Sequence, residues 1–561
     1  MYRKKIFFSL FVLLVFVFLN IDLWQGYGTT QVFRDPDEAW YGIVIKSVST
    51  DGCSGVPISY QFKDRINFHS CQFMTAINYI LPIKNIITQT VTLKFLSRLI
   101  LILTFGFFSF LVFKDAILGL LLGLCLFLDG GIYVFKPGFI TIQNLLNSHL
   151  DDFIRSNRFM SPMQYQVPLL IWTLIYAYWL FSLKRDQRWK DTVFFITTLA
   201  LGVLIALTPF YAWATFLLTT FWFLVFSWSR CSRTRWYLAF TSFVATAILS
   251  LIISFSKTQI PFVQDVLVRS GFFNDQWRPL FMLDKGLILG MLILSFLILK
   301  LSGEKILSFL VPISFYLFVN INIFTGKEYQ NFHFKDYLGP MWFISLVFMA
   351  TLLFKNKKNI IYGLLICLTS LGLLQHMISQ TSRPSVIFEE ESRIETQKII
   401  TFFKEHPKQK VYCSEFYQTL PLITDVKCSW HHLLMTYPLS NEEVLEQSMA
   451  QWKLSGRSEA QVKDWISRDA SPTRSLGVWS HGILPAWTNT SLGTELYSVN
   501  NLQKHIIPLW MATYKLFDVD QAIKKIGNAD FYILPMAFAN QQRQFEAVAT
   551  FSIYGIYKLK K

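Results

Sequence analysis

Charge is what this sequence has least of. Only 16% of its 561 residues are Asp, Glu, Lys or Arg, against about a quarter in an ordinary soluble domain, so most of the chain is not built to face water. It has no lysine- or arginine-rich arm, no zinc-ligand spacing and no aromatic RNA-binding motif. The net charge of +16 therefore argues for membrane-flanking loops rather than a nucleic-acid partner. Internal repeats and low-complexity tracts are absent as well. His431-His432 beside Cys428 lacks a second ligand pair and reads as a loop, not a zinc site. A small-residue cleavage site of the A-x-A type is also missing after residues 6–20, where the chain instead runs on through Asn20-Ile21-Asp22-Leu23-Trp24. An uncleaved anchor is expected, with the basic Met1-Tyr2-Arg3-Lys4-Lys5 in the cytoplasm.

What the chain has in quantity is apolar bulk: 53% hydrophobic residues with 54 Phe, read as lipid-facing mass rather than a cofactor box. A bilayer core needs roughly 20 apolar residues per helix. After the anchor at 6–24, such runs fall at 91–113, 116–135, 166–183, 193–208, 211–228 and 236–255. Four more fall at 287–301, 306–324, 337–354 and 360–378. The expected architecture is a polytopic α-helical membrane protein of about eleven transmembrane helices. The cations alternate consistently with this count. Lys114, Lys184 to Lys190, Arg230 to Arg235, Lys300 with Lys305, and Lys355 to Lys358 all fall in the loops on the N-terminal side. An odd count puts the tail outside. Residues 1–380 then form the membrane domain, with a large first external loop at 25–90.

Residues 381–561 read as an extracytoplasmic α/β domain. Helical patterns at 393–406 and 518–526 are interleaved with strand patterns at 410–414, 530–534 and 551–559. Cysteine placement agrees with the orientation. Cys53 with Cys71, and Cys413 with Cys428, fall in the two large external segments, where an oxidising compartment would pair them as disulfides. Asn489-Thr490-Ser491 is a glycosylation sequon only where the host glycosylates.

Against this background Arg34-Asp35-Pro36-Asp37-Glu38-Ala39-Trp40-Tyr41 stands out, with three carboxylates in four residues just after the first apolar run. Its plain reading is a solvated helix end with a Pro36-assisted turn. Taken with its position, however, it resembles the GT-C glycosyltransferases. These share a cytoplasmic N-terminus, an acidic motif early in a large first external loop, many spans and an external C-terminal domain. Pro36-Asp37-Glu38-Ala39-Trp40-Tyr41 is similar to the Pro-Asp-Glu-x-Arg-Tyr signature of the aminoarabinose-transferase and protein O-mannosyltransferase branch, with Trp40 in place of the Arg. Ala76-Ile77-Asn78-Tyr79 through Leu96-Ser97-Arg98-Leu99 resembles that branch's amphipathic segment leading into a second span with an Ala/Ser-Arg-Leu step. Phe334-Lys335-Asp336-Tyr337-Leu338-Gly339-Pro340 is similar to the Arg-Tyr-Leu-x-Pro start of a late helix. Elsewhere the likeness is one of topology.

The resemblance implies transfer of a sugar from a polyprenyl-phosphate donor to an extracytoplasmic lipid, glycan or protein acceptor. Asp37 would be the base, since a carboxylate within hydrogen-bond reach of an acceptor hydroxyl can take its proton. Glu38 and Asp35 would be orienting or metal-binding neighbours. Asp35 and Asp37 would suit Mg²⁺ or Mn²⁺ if a metal is used, and the branch also resembles metal-independent enzymes. Asp151 or Asp152 would supply the second acid of the family, with Asp129 as the rival. Donor phosphate would be held by Arg158, Arg155, Lys335 and His333, with Arg269 and Arg278 behind them; each also reads as an interfacial cation touching lipid headgroups. The expected location is a bacterial inner membrane, with the site facing the periplasm. The alternatives are a transporter or flippase of a lipid-linked sugar, a polysaccharide polymerase or ligase using a diphosphate carrier, and a non-catalytic scaffold. The first of these often shows two similar halves, which are not visible here.

Overall fold

The computed structural model of the protein describes residues 2–33, 39, 42–43, 45–46, 79, 81–83, 85–113, 115–128, 175–176, 178–183, 188–207, 210–259, 274–275, 327–328, 347, 350–351, 358–382, 386–413, 419–429, 439–469 and 507–560. The chain divides into two compact units. One holds Met1–Glu38, Ile87–Ser254 and Gln276–Ser385; the other holds Ala39–Ile86, Phe255–Asp275 and Val386–Lys561.

The first unit is helical. Its described elements are α1 (Tyr2–Leu19), α2 (Ile21–Gln25), α3 (Ile86–Phe113), α4 (Ala116–Phe127), α5 (Arg188–Ala206), α6 (Phe210–Ser227), α7 (Arg233–Thr258) and α8 (Lys358–Ser382). Four stretches among the described residues, Ile6–Gln25, Ile86–Phe107, Arg188–Ala206 and Arg233–Ser256, are long and apolar enough to cross a membrane. Their outward faces carry side chains that water would not tolerate in such number. Phe7, Leu10 and Leu13 on α1, Leu103 and Phe107 on α3, and Leu251, Ile252 and Phe255 on α7 are all exposed. The expected spans at 287–301 and 306–324, and nearly all of 337–354, lie outside the described residues.

Where apolar side chains gain little by leaving lipid for one another, helices associate by close backbone approach over small residues. Gly119 and Gly123, four apart on α4, face α3. A Cβ at Gly119 would lie 2.0 Å from the Phe105 carbonyl oxygen, and one at Gly123 would lie 3.0 Å from the Ile102 Cα. A Cβ at Gly202 of α5 would stand 2.2 Å from the Thr246 hydroxyl of α7. One turn away, the Ser242 hydroxyl donates to Thr198 at 2.9 Å. Arg235, expected among the loop cations, is instead buried in the first turn of α7. Its Nε donates to Asp191 at 2.7 Å and a terminal nitrogen donates to the Leu183 carbonyl at 2.6 Å. The Trp179 indole N–H donates to the same carboxylate at 2.8 Å. A buried charge is tolerable only when paired in this way.

The second unit is built on α9 (Val386–Ser392), α10 (Ile394–Glu405), β1 (Lys410–Cys413), α11 (Thr419–Ile423), β2 (Lys427–Cys428), α12 (Asn441–Leu454), α13 (Glu459–Asp469), α14 (Ile507–Leu516), α15 (Val519–Ile526), β3 (Phe531–Pro535), α16 (Met536–Ala539), β4 (Phe545–Thr550) and β5 (Tyr554–Leu559). The five strands lie in the order β2-β1-β3-β5-β4. β1 runs parallel to β2 and β3, and β5 antiparallel to β3 and β4. The inner strands read almost continuously apolar, Val411-Tyr412-Cys413 and Phe531-Tyr532-Ile533-Leu534, because both faces of the sheet are covered. One face packs Val411, Phe531, Ile533 and Ile556 on Ile399, Ile400 and Phe403 of α10. The other packs Tyr412, Tyr532, Leu534 and Tyr557 on Ala450 and Leu454 of α12 and on Ala522, Ile523 and Ile526 of α15. Capping boxes start α12, through Ser440 and Glu443, and α15, through Asp518 and Gln521.

The expected Cys413–Cys428 disulfide is not formed; both residues are buried thiols. Cys428 is in register with Val411, so Cys413 lies two residues further along the neighbouring strand. A strand spacing of about 4.8 Å and a rise of about 3.3 Å per residue put the two Cα atoms roughly 8 Å apart, beyond the roughly 4.4–6.8 Å of a disulfide. Cys53 and Cys71 lie outside the described residues.

Candidate functional site

The residues that lead into the acidic stretch are held by one face of α3. Gln89, Thr90, Lys94 and Arg98 recur at helical spacing and are all buried, and the same stripe continues as Leu101, Ile102 and Phe105. Arg98 reaches the junction of α1 and α2. Its two terminal nitrogens donate to the two oxygens of Asp22, each at 2.9 Å. One of them also donates to the Leu19 carbonyl at 2.8 Å and to the Asn20 side-chain oxygen at 3.2 Å. The planar fork of arginine matches a carboxylate in this bidentate way. The contact to Leu19 also satisfies a carbonyl left without a partner at the end of α1.

Beyond α2 the chain folds back on itself. Gly28 takes a positive φ of 81°, a backbone conformation that favours glycine. A Cβ at Gly26 would stand 3.0 Å from both the Asp22 carbonyl and the Val32 nitrogen, so the close return depends on hydrogen there. The returning Val32 carbonyl accepts from the buried Lys94 ammonium at 2.8 Å. His376, buried on α8, stands near enough to Asp22 for electrostatic interaction. The result is a buried, paired polar centre at one end of an apolar helix pair. Arg98 is spent on Asp22, Asn20 and the Leu19 carbonyl, and Lys94 ties down the returning Val32, so these two cations fix the path of the chain. That path ends at Phe33, one residue before Arg34.

Asp35, Asp37 and Glu38 lie outside the described residues, as do Asp129, Asp151, Asp152, Arg155, Arg158, Arg269, Arg278, His333 and Lys335. Among the described residues no three His, Cys, Asp or Glu side chains gather as a metal ion would require, and Asp35 and Asp37 are outside that set. The second unit holds a further point of the first loop. Lys46 donates to the carbonyls of Thr424 at 2.6 Å and Pro421 at 3.2 Å, and pairs with Asp425 at 3.1 Å. A cation at the end of α11 is favoured by the carbonyls exposed there.

Sequence reasoning reached Arg98 through the Ser97-Arg98-Leu99 step but passed over Asp22, Lys94 and Lys46. A usable signal was present. An acid in an apolar run, with two cations four residues apart in the next run, asks for an internal partner. Comparison of the chain with models of known families finds no match, and comparison with curated proteins finds none either.

Proposed function

We propose that the protein is a membrane glycosyltransferase of the GT-C type. It would move a sugar from a polyprenyl-phosphate donor to an extracytoplasmic lipid, glycan or protein acceptor, with Asp37 as general base. The observation that carries the reading is the Arg98–Asp22 centre. The Ser-Arg-Leu step, quoted from sequence for its resemblance to this class, contributes the buried cation that pairs with Asp22, one turn of α3 from the lysine that holds Val32. An acceptor hydroxyl gives its proton to a base only if that base is held in position, and a paired support that precedes the acidic run in sequence suits such a task. In this reading the full set is about eleven spans, at roughly 20 apolar residues each. The N-terminus is cytoplasmic, the site opens toward the periplasm of a bacterial inner membrane, and Arg155, Arg158, His333 and Lys335 receive the donor phosphate.

The test compares cells carrying the wild-type protein, a deletion, or Asp37→Asn at equal membrane level, by mass spectrometry of glycolipids, glycans and polyprenyl-phosphate sugars. The expected result is loss of one sugar from a product, with its lipid-linked donor accumulating in both mutants. A normal profile in Asp37→Asn beside a defect in the deletion would overturn the catalytic assignment and favour transport or scaffolding.

A further inference from the structure

A cleft of about 820 Å³ opens in the second unit, between α12, α14, α15 and the start of β1. That volume is within the roughly 300–1,000 Å³ of small-molecule sites. Its charge is uneven. The stretch Val386–Lys561 as a whole is balanced, with 19 Lys and Arg against 18 Asp and Glu. Among the described residues, three lysines, Lys410, Lys524 and Lys525, nevertheless line the cleft against the single carboxylate Glu446. Lys525 is paired with Glu446. No carboxylate among the described residues pairs with the side chains of Lys410 or Lys524, and the nearby Asp530 carboxylate accepts from the Lys410 backbone N–H. Lys524 and Lys525 also complement the C-terminal dipole of α15. Lys410 comes from a different element and has no such use.

The rest of the lining is mixed in the way a sugar ring demands. Gln521 uses its side-chain oxygen in the α15 cap, which leaves its amide N–H groups for the cleft. Asn528 and the Thr513 hydroxyl add further polar groups. Leu516, 74% exposed, lies beside the partly buried Phe517, offering an apolar surface to the C–H face of a ring.

We propose that this cleft binds an anionic saccharide, a sugar unit bearing a phosphate or carboxylate. Lys410 and Lys524 hold the charge, and Leu516 and Phe517 take the ring face. The assignment does not rest on the transfer reading. The test is calorimetric titration of the full-length protein in detergent with glucose 1-phosphate, glucose and inorganic phosphate. Glucose 1-phosphate is expected to bind about tenfold or more tightly than either of the others, because the charged contact and the ring contact add. The double variant Lys410→Gln/Lys524→Gln is expected to weaken it about tenfold or more, whereas Lys410→Arg/Lys524→Arg retains it. Both lysines are exposed, so circular dichroism of the variants should match the wild type. Asp37→Asn should bind normally whatever becomes of its activity. Four outcomes each overturn the proposal: no binding, binding unchanged in the glutamine variant, inorganic phosphate matching the sugar phosphate, or binding lost in Asp37→Asn. Where the site holds, competition names its source. Stronger displacement by a prenyl-phosphate sugar points to a lipid headgroup, and stronger displacement by a soluble acidic oligosaccharide points to a glycan.

Discussion

Asp22 has nothing in its own neighbourhood to suggest a partner. It follows an apolar run and precedes Trp24, and an acid so placed reads the same whether it meets water or a guanidinium 76 residues away. Arg98 was legible because a short local pattern surrounds it. Asp22 was not, because its partner is set by how two helices pack. The consequence is measurable. Asp22→Asn leaves Arg98 buried with only neutral acceptors, and breaking such a pair costs about 3–5 kcal/mol. Thermal unfolding of the detergent-solubilised protein should show a large loss for the single variant. Asp22→Leu combined with Arg98→Met should recover most of it, because two apolar groups of similar size leave no stranded charge. A double variant as unstable as the single one would mean that the centre acts through shape alone. The cysteines teach the same lesson. Cys413 and Cys428 were grouped by position, yet whether they pair depends on strand register, which no count of cysteines contains.

Helices and strands were legible in proportion to how regular their surroundings are. The apolar runs at 91–113 and 236–255 correspond to α3 and α7, with five residues added before the first and three at each end of the second, since polar and charged residues can enter a helix whose ends are hydrated or paired. β1, β3 and β5 were visible as apolar strands. β4 was not, because it lies at the sheet edge and its residues 546–548 are exposed, so its sequence lacks the burial that marks a strand. Which helices touch was hidden too, since a glycine at a contact and a glycine facing lipid look alike. Gly119 and Gly363 separate the two cases. A Cβ at Gly119 would collide with the Phe105 carbonyl, whereas one at Gly363 meets nothing within 4 Å. Gly119→Ala should therefore destabilise by about 1–3 kcal/mol through overpacking. Gly363→Ala should be neutral or gain up to about 1 kcal/mol of helix propensity. Paired unfolding curves of the two variants check this, and equal effects would refute the α3–α4 contact.

At the scale of the molecule, hydropathy marks the change of character near residue 380 but not that Ala39–Ile86 and Phe255–Asp275 group with the second unit, and the buried tyrosines of that unit become visible only once its layers are assembled. Burial raises the phenol pKa of Tyr514, Tyr532 and Tyr557 above the ordinary 10.0, with the nearby Glu459 adding to the effect at Tyr514 and Asp530 at Tyr532. A folded state that holds the neutral phenol gains stability that is complete below pH 10.0 and is lost as pH rises through the raised values. On alkaline titration, tyrosinate absorbance from these residues should appear together with loss of the sheet's circular dichroism. Ionisation well before any structural change would contradict the burial. The order of the strands carries a further consequence, for biosynthesis. β3 lies between β1 and β5 in the sheet, yet it begins at Phe531, more than a hundred residues after β1 ends at Cys413. Pairing so distant in sequence is slow to form, and both walls of the sheet wait for it. While residues up to 530 are being made, Val411 and Tyr412 have no completed core to enter, so the nascent tail must be kept from aggregating until its middle strand arrives.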